Sequence, residues 1–416
     1  MRETLKNAWK VVEIRKKILY TIGMLLIYRL LCFVPVPGVD ASYIATALEK
    51  VSLLGFINSM TGSNLSQYTV MAMGITPYIN ASIIMQLLCV AIPKLEEMQK
   101  EGEEGRKKIA QITRYVTLGL AFLQAIALTV GLKANATNAF LGLITIAFCL
   151  SAGTAIAMWI GERITENGIG NGISLLIFAG IISNIARGVE TGVYGLFSSA
   201  VESNVGGMIA SVLVFIILVV GIVIVDLGER RIPIQYAKRM VGRKMYGGQS
   251  THIPMKINST GVMPLIFGFA ILQFPATVFA FFPTSGINMW WNSFQNGIWY
   301  QIVLAVLIIA FTYFYTSITF NPIDISKNMQ QNGGIIPGIR QGRATSDYLA
   351  KVSGRLTLFS ALFLAVLATI PTIITRVFGI RAPFAASSVL IAVSVALETL
   401  RQVEAQMVMR HHKGFL

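Results

Sequence analysis

Ten runs of mostly apolar residues divide this chain, at approximately 18–34, 71–92, 115–132, 140–160, 171–187, 207–228, 260–282, 299–320, 356–375 and 384–400. Each is close to the roughly 20 residues a helix rising about 1.5 Å per residue needs to cross a bilayer core about 30 Å thick. No water reaches backbone amides in hydrocarbon, so such a run is read as a helix. The runs are continuous, not alternating, and exceed the roughly 10 residues of a barrel strand, which disfavours a β-barrel. Composition agrees. Of 416 residues, 54% are hydrophobic and 13% charged, against roughly 25% charged in soluble domains. A soluble chain of this length would form two or three domains with polar surfaces, and the charges here are too few to cover them.

Net charge is +15, from 34 Lys and Arg against 19 Asp and Glu. On a soluble protein that would suggest nucleic-acid binding; on a membrane protein it sets orientation. Ten spans place both termini on one side. That side carries 28 of the 34 basic residues, and the other holds Arg29, Lys50, Lys133, Arg187, Arg376 and Arg381. The Lys/Arg bias predicts that both termini are cytosolic. The segment Met1 to Lys17 is charged and reaches no small-residue cleavage site before the first run, so that run is expected to be a permanent anchor. Two cytosolic loops are long, at roughly 229–258 and 321–355. Their basic residues fit two readings: topology with lipid headgroup contact, or partner docking.

Span 2 opens with Gly74-Ile75-Thr76-Pro77 and span 7 with Gly261-Val262-Met263-Pro264. These occupy corresponding places if the chain is two five-span halves running in opposite directions, the pattern of an inverted repeat. Proline early in a helix is also ordinary N-terminal punctuation. Residues 55–69, GFINSMTGSNLSQYT, are too short and polar to span. They fit a surface loop, an interfacial helix or a re-entrant segment.

The interiors of spans 2 through 9 hold no Asp, Glu, Lys, Arg or His. Ion-coupled carriers need ionisable groups at mid-membrane depth, so their absence disfavours a proton- or sodium-driven carrier. Acidic-ring ion filters are disfavoured for the same reason. The polar residues inside, Asn80, Ser82, Gln86, Gln124 and Gln273, are amides and a hydroxyl of the kind that bridges helices. No HExxH, GxSxG, Walker A or acidic dyad occurs within a span. Cys32, Cys89 and Cys149 lie in apolar runs with no CxxC or Cys/His cluster. No catalytic residue, metal site or cofactor is expected. The chain reads as a passive conduit or scaffold powered by a partner.

Seven segments in order carry a resemblance: FVPVPGVD (33–40), GITPYINASIIMQLL (74–88), KEGEEGRKKIAQITRY (100–115), GERITENGIGNGISLLIFAGI (161–181), YAKRMVGRKMYGGQSTHIPMKIN (236–258), FNPIDISKNMQQNGGIIPGIR (320–340) and VEAQMVMR (403–410). On these the chain resembles the SecY family, the central subunits of the bacterial protein-conducting channel. The resemblance implies an all-α polytopic membrane protein. Its ten transmembrane helices would form two pseudo-symmetric inverted five-helix halves, a clamshell around an hourglass pore. The division would be a cytosolic N-terminal segment (1–17), an N-terminal half (18–187), an external hinge loop (188–206), a C-terminal half (207–400) and a cytosolic tail (401–416).

Carried over residue by residue, the resemblance implies a pore ring of Ile75, Ile79, Ile173, Ile177, Ile266 and Ile391. A ring of branched apolar side chains can dewet when empty and yield around any passing chain. Residues 55–69 look like the plug, with Gly55, Phe56, Ile57, Asn58, Met60, Thr61, Gly62, Ser63 and Asn64 as its members. Spans 2 and 7 look like a lateral gate, with Asn80, Ser82, Gln86 and Gln273 as polar latch candidates. The long loops resemble docking loops for the SecA motor ATPase and the ribosome, through Lys238, Arg239, Arg243 and Lys244 in one and Pro337, Gly338 and Arg340 in the other. Arginine suits both partners, pairing with carboxylates and with RNA phosphates. Implied partners are the small membrane subunits SecE and SecG, SecA, the ribosome, preproteins with their signal peptides, and membrane lipids; DNA is not expected. The implied place is the bacterial cytoplasmic membrane.

Overall fold

The computed structural model describes residues 9, 11–39, 64–65, 67–131, 140–197, 205–236, 239–241, 244–246, 250–280, 286–295, 297–378 and 386–411. Helices dominate. In chain order they are α1 (Val12–Leu31), α2 (Thr76–Ala91), α3 (Pro93–Lys100), α4 (Glu103–Gly131), α5 (Phe140–Asn167), α6 (Gly172–Phe197) and α7 (Val205–Leu227), then α8 (Met263–Ala280), α9 (Gly286–Gln295), α10 (Ile298–Thr319), α11 (Pro322–Gln331), α12 (Arg343–Phe378) and α13 (Ala386–His411). Every one of the ten apolar runs has its helix: α1, α2, α4, α5, α6, α7, α8, α10, α12 and α13.

Four stretches among the described residues are individually long and apolar enough to cross a membrane: Glu103–Val130, Leu141–Asn167, Ile298–Gln331 and Arg343–Thr369. A fifth span is Thr76–Ala91 joined to Pro93–Gln99 across a bend of 106°. The bend has a local cause. Ile92 precedes a proline, which pushes it out of the helical region to φ −110°, ψ 112°. The chain then leaves the apolar run for the charged sequence PKLEEMQK. Helix α1 carries Arg15, Lys16, Lys17 and Arg29, so charge rather than length sets it apart from those five. Along α7 the large apolar side chains Leu213, Ile216, Ile217, Val220 and Ile224 all stand exposed. A face of this kind suits lipid and not water. The chain is a multi-pass membrane protein.

Strands occur in the long loop after α7 and just after α11. They are β1 (Glu229–Tyr236), β2 (Arg239–Val241), β3 (Lys244–Tyr246), β4 (Ser250–Lys256) and β5 (Gly334–Ile335). Strand β1 lies between β4 and β5, antiparallel to both. Strands β2 and β3 form a separate hairpin. Sequence reading treated both long segments as plain loops, and this is the main departure from it. The reason lies in Glu229–Tyr236, where Ile232 and Ile234 are buried while Arg231, Pro233 and Gln235 are exposed. That is the period-two pattern of a half-buried strand.

Two compact units separate by contact. One comprises Met1–Ser211, Ala270–Tyr300 and Arg381–Leu416; the other comprises Val212–Phe269 and Gln301–Ile380. In the first, α4 packs on α2 and α5, α6 packs on α5, and α13 packs on α6. In the second, α11 and α12 pack together beside the sheet. Helix α6 continues to Phe197, so residues 188–197 of the expected external loop 188–206 are helical; described residues resume at Val205.

Candidate functional site

The two Gly-x-x-Pro segments adopt one local geometry. Gly74 and Gly261 both take left-handed backbone, at φ 51° and 61°, a conformation glycine adopts without strain. Helices α2 and α8 begin two residues later, at Thr76 and Met263, each with proline as its second residue. Proline fits there because the first N–H groups of a helix have no internal acceptor. The Ile79 N–H donates to the Ile75 carbonyl at 3.1 Å, and the Ile266 N–H donates to the Val262 carbonyl at 3.2 Å. Ile79 and Ile266 therefore hold the same position in equivalent helix starts.

The expected ring residues are buried or half-buried. Ile75, Ile177, Ile266 and Ile391 are buried, and Ile79 and Ile173 are intermediate. Ile75, Ile79, Ile173, Ile177 and Ile391 belong to the first unit, and Ile266 to the second. Ile173 and Ile177 lie on α6, against which α13, the helix of Ile391, packs. Of the latch candidates, Asn80 and Ser82 are half-buried on α2 and Gln86 is exposed. Gln273 lies on α8, and its side chain is outside the described residues.

Most of the expected plug, Gly55, Phe56, Ile57, Asn58, Met60, Thr61, Gly62 and Ser63, lies outside the described residues. Asn64 does not. It is 1% exposed, and its Nδ2 donates to Cys32 Sγ at 2.9 Å. Of the described residues that follow, Leu65, Tyr68 and Thr69 of the expected plug segment and those just beyond it are firmly built in. Val36 N–H donates to the Tyr68 carbonyl at 3.2 Å and Val70 N–H to the Val34 carbonyl at 2.9 Å. Tyr68 Oη pairs with Thr129 Oγ1 at 2.9 Å. Leu65, Tyr68, Ala72 and Met73 share a core with Val36, Ala125, Ile146, Ala147 and Leu150. A Cβ on Gly153 of α5 would come within 1.9 Å of the Val70 carbonyl oxygen, so this close approach needs glycine.

The turn between α5 and α6 is closed by side chains. Thr165 Oγ1 accepts from Gly172 N–H at 2.9 Å, and Asn171 Oδ1 accepts from Ile173 N–H at 3.1 Å. Thr21 Oγ1 on α1 accepts from Ile169 N–H at 3.0 Å. Ile169 packs with Ile14 and Val403, which ties α1 and α13 to this turn.

In the second unit the two long loops form one module. Its core is Ile232, Ile234, Met255, Met329, Ile336 and Leu349. Asn321 caps α11 by accepting from Ile323 N–H at 3.1 Å, with Pro322 at the first helical position. From this base the turn Pro337-Gly338-Ile339-Arg340 projects, with Pro337, Gly338 and Arg340 exposed. The turn is held from below: Thr345 Oγ1 donates to the Arg340 carbonyl at 2.8 Å, and Ser326 Oγ donates to the Gly342 carbonyl at 2.7 Å. Arg239 and Lys244 lie on the β2–β3 hairpin; Lys238 and Arg243 are outside the described residues.

A family model described as SecY matches residues 69–400. The chain belongs to the SecY family. Protein translocase subunit SecY of Halalkalibacterium halodurans is 40% identical over 438 residues, covering 100% of each chain. Protein translocase subunit SecY of Mycobacterium bovis is 41% identical over 444 residues, covering 99% of this chain and 98% of that one. The fold is shared with a solved structure described as a protein conducting channel, at a TM-score of 0.70 and 20% identity, covering 96% of this chain and 94% of that one. A second, whose description concerns the plug domain of the SecY protein, gives a TM-score of 0.69 at 21% identity, covering 96% and 93%. The all-α, ten-helix SecY fold expected from sequence is thus the fold of this chain, with a small sheet added in the loops.

Sequence reading missed the members that hold the SecY framework together, namely Cys32, Thr21, Gly153 and the β1 isoleucines. Only the alternation in RRIPIQY offered a signal; the other contacts join residues distant in the chain.

Proposed function

We propose that this chain is the channel subunit through which unfolded preproteins cross the bacterial cytoplasmic membrane, and from which signal and membrane-spanning segments leave sideways into lipid. The observation that carries the reading is its likeness, over the whole length, to translocase subunits. The uncharged span interiors support it, because a chain of arbitrary sequence calls for an apolar, adaptable constriction.

In this reading Ile75, Ile79, Ile173, Ile177, Ile266 and Ile391 form the constriction, and residues 55–69 form the plug, with Asn64, Leu65, Tyr68 and Thr69 at its fixed end. Helices α2 and α8 form the gate, latched through Asn80, Ser82, Gln86 and Gln273. The halves 18–187 and 207–400 hinge within 188–206, after the end of α6 at Phe197, with both termini (1–17 and 401–416) cytosolic. The chain itself performs no catalysis. The SecA ATPase or the translating ribosome supplies the drive and docks on Arg340 with Pro337 and Gly338, and on Lys238, Arg239, Arg243 and Lys244. One solved relative is described as Sec61 in a canine ribosome–channel complex, which supports the ribosome as a partner. SecE and SecG complete the assembly.

A photo-crosslinker in place of Ile173 tests the path. With a secretory precursor stalled in transit, an adduct between the two chains is expected. No adduct, with saturable uptake of a small solute by the purified protein, would replace this reading with that of a carrier.

A further inference from the structure

Among the described residues, Tyr68 is the one non-glycine residue with a positive φ, at 46°. In this left-handed region the Cβ of an L-residue crowds its own backbone, and a tyrosine has no short polar side chain to offset that locally. Such a residue persists only where its surroundings fix it more firmly than the strain loosens it. Glycine would sit here freely, so what the position gains from tyrosine is the side chain.

Every polar group of Tyr68 is engaged. Its N–H donates to the Leu65 carbonyl at 3.2 Å, and its carbonyl accepts from Val36 N–H, in the segment after α1, at 3.2 Å. Its hydroxyl pairs with Thr129 Oγ1 of α4 at 2.9 Å. Thr129 has one hydroxyl hydrogen, and it goes to the Ala125 carbonyl at 2.7 Å. The Tyr68 hydroxyl is therefore the donor and Thr129 the acceptor. Both residues are 1% exposed, so no water stands ready to replace either partner.

From this staple the chain runs to α2 through linked turns. Ala72 N–H donates to the Thr69 carbonyl at 2.8 Å, Gly74 N–H to the Met71 carbonyl at 3.0 Å, and Thr76 N–H to the Met73 carbonyl at 3.2 Å. Met71, Ala72 and Met73 are buried, and the Val70 carbonyl lies so close to Gly153 of α5 that a Cβ there would not fit. Ile75 follows directly, and its carbonyl accepts from Ile79 N–H. Tyr68 is thus tied to α4 by its side chain and to the first turn of α2 by its backbone, all within one compact unit.

We propose that Tyr68 is a positioning residue for the constriction. Its clamped left-handed backbone and its hydrogen bond to Thr129 fix where α2 begins, and with it where Ile75 and Ile79 stand. The inference rests on the reading of those two isoleucines as constriction residues. Loss of the bond lets the backbone relax out of the left-handed region, and the linked turns carry that shift to Ile75.

The test uses the full chain in its complex, in planar bilayers and in vesicles. Tyr68→Phe removes the donor and Thr129→Val the acceptor, and each keeps the shape of its side chain. Each should raise the resting ion leak severalfold and speed amide exchange over residues 71–80 severalfold. The double variant should do no more than the worse single one, because both act through one bond. Thr129→Ser, which keeps the acceptor, should restore the parent's leak and exchange. A parental leak in the two single variants, a parental exchange rate over 71–80, or additive effects in the double variant would overturn the proposal. Ile79→Asn, measured alongside, separates two failures. If it leaks while Tyr68→Phe does not, the constriction stands and the role of Tyr68 falls; if neither leaks, the constriction reading falls as well.

Discussion

Gln235 stands opposite Ile335 in an antiparallel ladder, and Tyr236 opposite Gly334. These pairs join two loops separated in the chain by α8, α9 and α10. Strands β1 and β4 of one loop and the exposed Arg340 turn of the other therefore belong to one folded module.

The core of that module should be separable from its surface. Replacing Ile234 with Ala removes a 2% exposed side chain from the β1 face, at a cost of about 2–5 kcal/mol. Amide exchange in β1 and β4 should accelerate, and SecA and ribosome affinity should drop together. Gln235→Ala on the exposed face should change neither.

Arg340 sits on an exposed turn anchored through its backbone carbonyl by Thr345. Arg340→Glu should therefore leave the turn and the assembled complex intact while abolishing motor-driven export. Normal export of a secretory precursor by reconstituted Arg340→Glu vesicles would remove Arg340 from the docking role.

Asparagine in place of Ile79 and Ile266 should wet the proposed constriction. The expected outcome is a severalfold rise in ion leak through resting channels in planar bilayers. The exposed lipid-face variant Ile217→Asn serves as the comparison and should not raise the leak.

Gly153→Ala should destabilise the segment that follows the proposed plug, because the new Cβ would overlap the Val70 carbonyl. Overpacking of this kind costs roughly 1–3 kcal/mol, readable as a lower melting temperature in detergent. Gly119→Ala, where a Cβ meets nothing within 4 Å, should melt like the parent.

How much of this was legible beforehand follows from the physics of each part. The ten helices were legible because bilayer thickness imposes a length that apolar runs display directly. The matched helix starts were legible as spacing alone, since glycine and proline each dictate a backbone geometry. The proposed ring isoleucines were not legible as residues. Isoleucine in a membrane helix packs against a neighbour or faces lipid, so only the resemblance singled them out. Strand β1 was written in the alternation of Ile232 and Ile234, within a charged stretch that reads equally well as a cytosolic loop. Thr21 with Ile169, and Asn64 with Cys32, were beyond reach, because single hydrogen bonds between distant residues leave no periodic trace.

Helix α12 has a mechanical consequence. Leu349 is buried in the core of the sheet module, yet the same uninterrupted helix runs on through the apolar stretch to Thr369. At about 1.5 Å per residue, Arg343 to Thr369 makes a strut about 40 Å long. A strut rooted in the sheet module and continued through an apolar stretch couples the two rigidly. A force on the exposed Arg340 turn would pass from the sheet module along α12 into its apolar stretch, with no intervening loop.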